Sequence, residues 1–314
     1  MELEQFCSTS RVLIVAGKGG VGKTTVTASL AAAAAQAGLS VLIVEVEGKS
    51  GLSAAFGMPD LGYEETDLAP GVRARTLTPD HALVDYLDTH GMKRISKRLA
   101  STGTLDVVAT AVPGMKDILV LGKVKSLERD RAADLILVDA PAAGHAISFL
   151  LSPRGLLDAV SVGPIRKQAT DVIELLSDPT RCQVLLVTIP EETPVNELVD
   201  TAFTLEDRVG VALGPIVVNG CYPELDLRTD PAEIARDAEA AGVFLSSREA
   251  DDLARAAAFR VERQALQRVQ ADRLAQHLPL PQIRLPFLFS DDVGPAEIGV
   301  LAEALRSGIE TLDG

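Results

Sequence analysis

Hydrophobic and polar positions along the chain fall into two alternating kinds of stretch. Short runs rich in β-branched residues, such as Val12-Leu13-Ile14-Val15-Ala16 and Leu135-Ile136-Leu137-Val138, are separated by longer segments whose apolar residues recur at helical spacing. A run that is apolar on both faces suits a strand buried within a parallel sheet, and the intervening helices cover such a sheet on both sides. The pattern predicts strands at 11–16, 40–46, 72–76, 134–138, 183–188, 214–218 and 282–285. The expected fold is therefore α/β, with a mostly parallel, doubly wound sheet. An alanine-rich helix over 24–37 joins the first two strands, and Gly38 is placed to end it.

From 80 to 131 no strand pattern occurs. Apolar residues follow helical spacing at Ala82, Leu83, Tyr86 and Leu87 and again at Ile118, Leu119, Leu121 and Val124, which predicts a helical insertion in a single domain spanning 1–314. These residues are either core or part of a groove for a hydrophobic client, two readings that sequence does not separate. Between 230 and 277 the chain is helical and rich in Ala, Arg and Glu. Leu253, Ala257, Val261, Leu266, Val269 and Leu274 form an irregular stripe, from which packing against the sheet is expected.

The first strand runs into Gly17-Lys18-Gly19-Gly20-Val21-Gly22-Lys23-Thr24-Thr25. Gly17, Gly22, Lys23 and Thr24 fit the G-x-x-x-x-G-K-[ST] spacing of a phosphate-binding loop, in which backbone N–H groups close around phosphate oxygens. In that reading residues 17–25 bind ATP or ADP, with Lys23 reaching the β- and γ-phosphates and the Thr24 hydroxyl ligating Mg²⁺. The strand at 134–138 leads into Asp139, a carboxylate suited to the same ion, for which a helix N-cap before Gly144-His145 is the alternative. Glu45 and Glu47 close the second strand. Glu47 is the candidate to orient or deprotonate an attacking water, although pattern alone leaves open which of the two faces inward. Lys18 is a second cation inside the loop. Pointing across a symmetry axis, it would reach the nucleotide of a facing subunit.

Composition narrows the picture. The chain has 314 residues, 47% of them hydrophobic, enough for a large core. No apolar run reaches the roughly 18 residues of a membrane span, and the acidic start Met1-Glu2-Leu3-Glu4 lacks the form of a secretory signal, so a cytoplasmic location is expected. The net charge of −14 speaks against a nucleic-acid partner. A local basic cluster at Lys93, Arg94, Lys97 and Arg98 suits a solvated helix face. Cys7, Cys182 and Cys221 are scattered without a C-x-x-C pair and read as free thiols.

Lys18-Gly19-Gly20-Val21-Gly22-Lys23-Thr24-Thr25 resembles the deviant Walker A motif, and further landmarks resemble those of the arsenite-pump and tail-anchored-protein-targeting ATPases. They include 72–79, Pro113-Gly114 with Asp117, the Gly144-His145 segment through Pro153, Asp178-Pro179, Pro190-Glu191 and Val217-Val218-Asn219, with Pro286 and Gly294 extending them loosely. The resemblance implies an Mg²⁺-dependent ATPase whose two halves face each other across two nucleotides, as a homodimer or as a heterodimer with a paralogue. Lys18 then matches the intersubunit lysine, Glu47 the aspartate that polarises water, Asp139 the Mg²⁺-site aspartate and Asn219 the adenine-reading asparagine. Pro286 joins the nucleotide-binding set. The zinc-bridging cysteine pair of some relatives is absent, so no zinc is expected. The leading expectation is a dimeric switch whose closure controls a helical surface for a protein client, such as a tail-anchored or other membrane protein. The alternatives are the energising subunit of an arsenite or antimonite efflux pump and a positioning or partition ATPase acting on membrane or DNA.

Overall fold

The computed structural model describes residues 1–46, 51–89, 91–94, 96 and 114–312. Its strands are β1 (Val12–Gly17), β2 (Val41–Val46), β3 (Thr66–Ala69), β4 (Val72–Leu77), β5 (Leu135–Ala142), β6 (Cys182–Thr188), β7 (Ala212–Leu213), β8 (Ile216–Cys221) and β9 (Gln282–Pro286). They form one nine-stranded sheet in the order β3-β4-β2-β5-β1-β6-β8-β9, with β7 paired beside β6. Every pairing is parallel except that of β3 with β4. The strands that carry the longest apolar runs, β1, β2 and β5, are central because such runs can be covered on both faces.

Alternate residues of these strands point to opposite faces. Leu13, Val15, Ile43, Leu137 and Leu185 join a core beneath α2 (Lys23–Gln36), with α1 (Leu3–Thr9) and α11 (Pro295–Glu310) completing that layer. Alanines at 28, 31, 33 and 34 let α2 lie close on the sheet while α11 packs against it. Ile14, Val44, Ile136, Val138 and Leu186 face the other core. It is covered by α4 (Pro79–Thr89), α5 (Met115–Arg129), α6 (Ala143–Ala159), α7 (Pro164–Ser177) and α8 (Glu192–Thr204). Ala82, Leu83, Leu87, Ile118, Leu119, Leu121 and Val124 are all buried in it, which makes these residues core. The segment between α4 and α5 includes 97–113, outside the described residues, as are Lys97 and Arg98; Lys93 and Arg94 are exposed.

Gly38, with φ at +90°, follows the end of α2 as expected of a left-handed helix stop. Four elements depart from expectation, one of them β7, whose two residues are too few to show a pattern. Pro70 and Gly71 turn the chain between β3 and β4 into an antiparallel pair, a turn signal that outweighs the polar Asp67 in so short a strand. A first-turn helix, α1, precedes β1. The long helix α10 (Ser247–His277), which follows α9 (Pro231–Ala240), buries only Leu274 of the stripe expected of it: Leu253, Val261, Leu266 and Val269 are exposed, Ala257 is half-buried, and the helix packs through Ala250, Ala254, Ala271 and Leu274. Irregular steps of three to five residues spread the stripe around the helix, away from any single face.

Candidate active site

β1 delivers the P-loop to the carboxyl edge of the sheet between β5 and β6. This is where an open α/β sheet receives ligands. Gly17, the last residue of β1, lies so close to β6 that a Cβ there would sit 2.2 Å from the Val187 carbonyl oxygen. Gly19 and Gly20 are exposed at the crest of the loop, and Gly20 has φ at +86°. Val21 is buried and anchors the loop. Gly22 takes φ at +89° and has no side chain to cap α2, whose N-terminus faces the loop. The glycines therefore make a cradle of backbone that suits phosphate oxygens.

Two side chains fix that cradle. Lys23 Nζ donates to the Lys18 carbonyl at 3.1 Å, folding its ammonium over the loop. Asn219, on β8, donates from Nδ2 to the Val21 carbonyl at 3.0 Å. The same Nδ2 would lie 2.3 Å from a Cβ at position 22, so the asparagine occupies the space the glycine leaves.

Asp139 lies within β5, which continues through Ala142, so it is not the N-cap of α6. The residue is 7% exposed, and its carboxylate accepts from the Thr24 hydroxyl at 2.7 Å. A hydroxyl and a carboxylate beside a phosphate cradle are hard oxygen donors of the kind Mg²⁺ takes, together with phosphate and water. In register with Asp139 stand Val15 on β1 and Glu45 on β2. Glu45 is buried and accepts from Thr76 at 2.9 Å. Glu47 lies outside the described residues. Beyond that segment, α3 (Gly51–Ala55) begins against Thr24, 3.6 Å from a Cβ built on Gly51.

Lys18 turns outward. Its Nζ lies 2.6 Å from Glu197 Oε1 on α8, with both side chains more than a third exposed. On the β8–β9 side of the P-loop lies a cavity of about 320 Å³, lined by Gly22, Thr25, Asn219, Gln267, Pro286 and Phe287 among others. A larger cleft of about 610 Å³ between α4, α5 and α7 has no P-loop residue in its lining. The smaller cavity is the one continuous with the cradle.

A profile of the anion-transporting ATPase family matches residues 10–168, just over half of the chain. The ATPase BagA of Mycobacterium tuberculosis is 32% identical over 241 residues, covering 73% of this chain and 69% of that one. The chain belongs to the anion-transporting ATPase family. This ATPase is also similar to the arsenical pump-driving ATPase of Escherichia coli, 26% identical over 268 residues, which cover 76% of this chain and 43% of that one. The ATPase get3 of Schizosaccharomyces japonicus is 30% identical over 152 residues, 48% of this chain and 46% of its own.

Around the cavity, this ATPase uses residues that its sequence did not single out. Gln267 of α10 accepts from the Tyr222 N–H at 2.7 Å and donates to the Gly220 carbonyl at 3.1 Å, clamping the backbone that follows Asn219. Arg263, one turn earlier, pairs with Glu191 at 3.4 Å. Tyr222, Phe287 and Phe289 form an aromatic cluster over which the Arg260 guanidinium lies, 4.0 Å from the Tyr222 ring centre. The signal available in sequence was the four-residue spacing of Arg263 and Gln267, which sets them on one face of a helix.

The cysteines do not converge. Cys7 belongs to the core on the α2 side of the sheet and Cys182 to the core on the opposite side. Burial pushes the thiols of both up to about 12, and that of half-buried Cys221 to about 11. Thiols so placed stay protonated and inert at neutral pH. Among the described residues, no helix is long and apolar enough to cross a membrane.

Proposed function

We propose that this ATPase is a cytoplasmic, dimeric switch, a homodimer or a heterodimer with a paralogue, in which ATP draws two subunits together and hydrolysis releases them. Residues 17–25 bind the triphosphate. Lys23 neutralises the β- and γ-phosphates, Asn219 and Pro286 hold the base, and Lys18 reaches the phosphates bound by the facing subunit. Thr24 and Asp139 hold Mg²⁺, whose contribution is to neutralise phosphate charge. Glu47 orients the water that attacks the γ-phosphorus as the bond to the β-phosphate oxygen breaks.

The reading is carried by the contrast between the two lysines of one loop. Lys23 folds back onto the loop carbonyl of residue 18, whereas Lys18 extends to Glu197 with its side chain 36% exposed. A cation that leaves its own cradle is available to a neighbour. Asn219 supports the assignment of the base, since with its amide nitrogen committed to Val21 the amide oxygen suits an exocyclic amino group. The resemblance of its motifs to those of tail-anchored-protein-targeting ATPases favours a protein client as what the switch serves, including tail-anchored or other membrane proteins, with the helical insertion 80–131 as the segment through which closure is read. A metalloid-driven pump is disfavoured because Cys7 and Cys182 lie on opposite sides of the sheet.

Native mass spectrometry with and without Mg·ATP, combined with turnover assays, tests the reading. ATP is expected to convert monomer to dimer, and Lys18→Ala to lower turnover at least about tenfold while sparing most of the nucleotide affinity. Full turnover by Lys18→Ala, or an ATP-saturated protein that stays monomeric while hydrolysing, would contradict it.

A further inference from the structure

Lys18 is held within its own subunit. Its partner, Glu197, sits on α8, the helix that follows β6, and β6 is the strand against which Gly17 packs in register with Val187. Other residues at this helix start are engaged by α10: Arg263 pairs with Glu191, and Arg273 bonds to Asn196. Helix α8 is thus fastened to α10 while presenting Glu197 to the P-loop. The Lys18 and Glu197 side chains are 36% and 44% exposed, and an ion pair that wet is weak enough to exchange for a better partner. A phosphate oxygen is such a partner, because its hydrogen bond to an ammonium carries charge on both sides.

We propose that Glu197 is a positioning residue that parks Lys18 in the separate subunit, so that the facing triphosphate must draw the lysine off this carboxylate before the dimer closes. The proposal deepens the reading above and rests on Lys18 acting across the interface. Glu197 sets the threshold for closure in two ways that share one sign. Its pairing with Lys18 must be given up, and its negative charge then stays near an incoming phosphate. A closed dimer contains the exchange twice, once for each subunit.

The test is turnover per subunit as a function of protein concentration at saturating Mg·ATP. Replacing the carboxylate by an amide, Glu197→Gln, is expected to bring half-maximal turnover to a protein concentration roughly two- to thirtyfold lower, twice the effect of losing one exposed ion pair. Glu197→Asp keeps the charge and is expected to restore most of the threshold. In a Lys18→Ala background, the same Glu197→Gln change is expected to move the midpoint markedly less, because only the repulsion between carboxylate and phosphate is left to lose, and an equally large shift there overturns the parking role. A purely structural role for Glu197 would lower the maximal rate without moving the midpoint. An unchanged or higher midpoint in a Glu197→Gln protein that melts like the parent overturns the proposal while leaving the trans role of Lys18 intact. Full turnover in Lys18→Ala alone removes that role, and the parking contact loses its purpose with it. Should Glu197→Gln fail to fold, Glu197→Ala on the same exposed helix surface gives the same reading.

Discussion

At the scale of single residues, the site depends on what small groups leave room for. Gly22 is constrained twice, by φ at +89° and by the Asn219 amide that fills the space where a Cβ would stand. Gly20 shares the positive φ, but a Cβ there would meet nothing within 4 Å. Gly20→Ala should therefore cost only the left-handed strain, about 1–2 kcal/mol. Gly22→Ala should cost about 1–3 kcal/mol more, since Asn219 loses its bond to the Val21 carbonyl as it is displaced. Urea denaturation of the two variants measures the difference, and equal losses would mean that Asn219 is not the obstacle. The glycines and lysines of this loop were legible in sequence because their spacing is local. The ion pair of Lys18 with Glu197 was not, because it joins positions 179 apart and its pairing is decided by which helix follows β6.

Whole elements are positioned by contacts at both edges of the sheet, and the edge away from the nucleotide carries a buried charge. Glu128, at the C-terminal end of α5, is 4% exposed and accepts from Arg11, just before β1, at 3.3 Å and from Arg181, just before β6, at 2.6 Å. A carboxylate at a helix C-terminus opposes the helix dipole, so the two guanidiniums are what make its burial tolerable. In return, the hydrogen bond to the Glu128 carboxylate raises the affinity of Arg181 for its proton. Glu128→Gln should destabilise the protein by about 1–3 kcal/mol. That is below the usual cost of breaking a fully buried pair, because the two arginines are a third exposed and can turn to water. Chemical denaturation reads the loss, and a change under about 0.5 kcal/mol would mean that α5 is held by its apolar face alone. The seven central and flanking strands of the sheet were legible from their β-branched runs. The β3 strand and the exposed stripe of α10 were not, since a four-residue strand has too little pattern and an irregular stripe has no single face to bury.

Across the whole molecule, the candidate site draws on β1, α2, β5, α8, β8, α10 and β9, so it spans the sheet from its centre to one edge. β1 is the hinge of this arrangement. Strands β5, β2, β4 and β3 lie on one side of it, and β6, β8 and β9 on the other. A nucleotide held as proposed would contact groups from both halves, so binding should stabilise the sheet as one cooperative unit. At about one hundred times its dissociation constant, a ligand that binds only the folded state adds about 2.7 kcal/mol. For a chain of this size that corresponds to a rise in melting temperature of about 5 °C. Mg·ADP should therefore shift a single transition seen alike by far-UV circular dichroism and calorimetry, and slow amide exchange in β4 as well as in β9. Gly22→Ala should remove the shift without splitting the transition. If ligand protected only the P-loop and β8–β9 while β2 and β4 melted unchanged, the two halves would be separate folding units, and closure driven from the phosphates would have no rigid sheet through which to act.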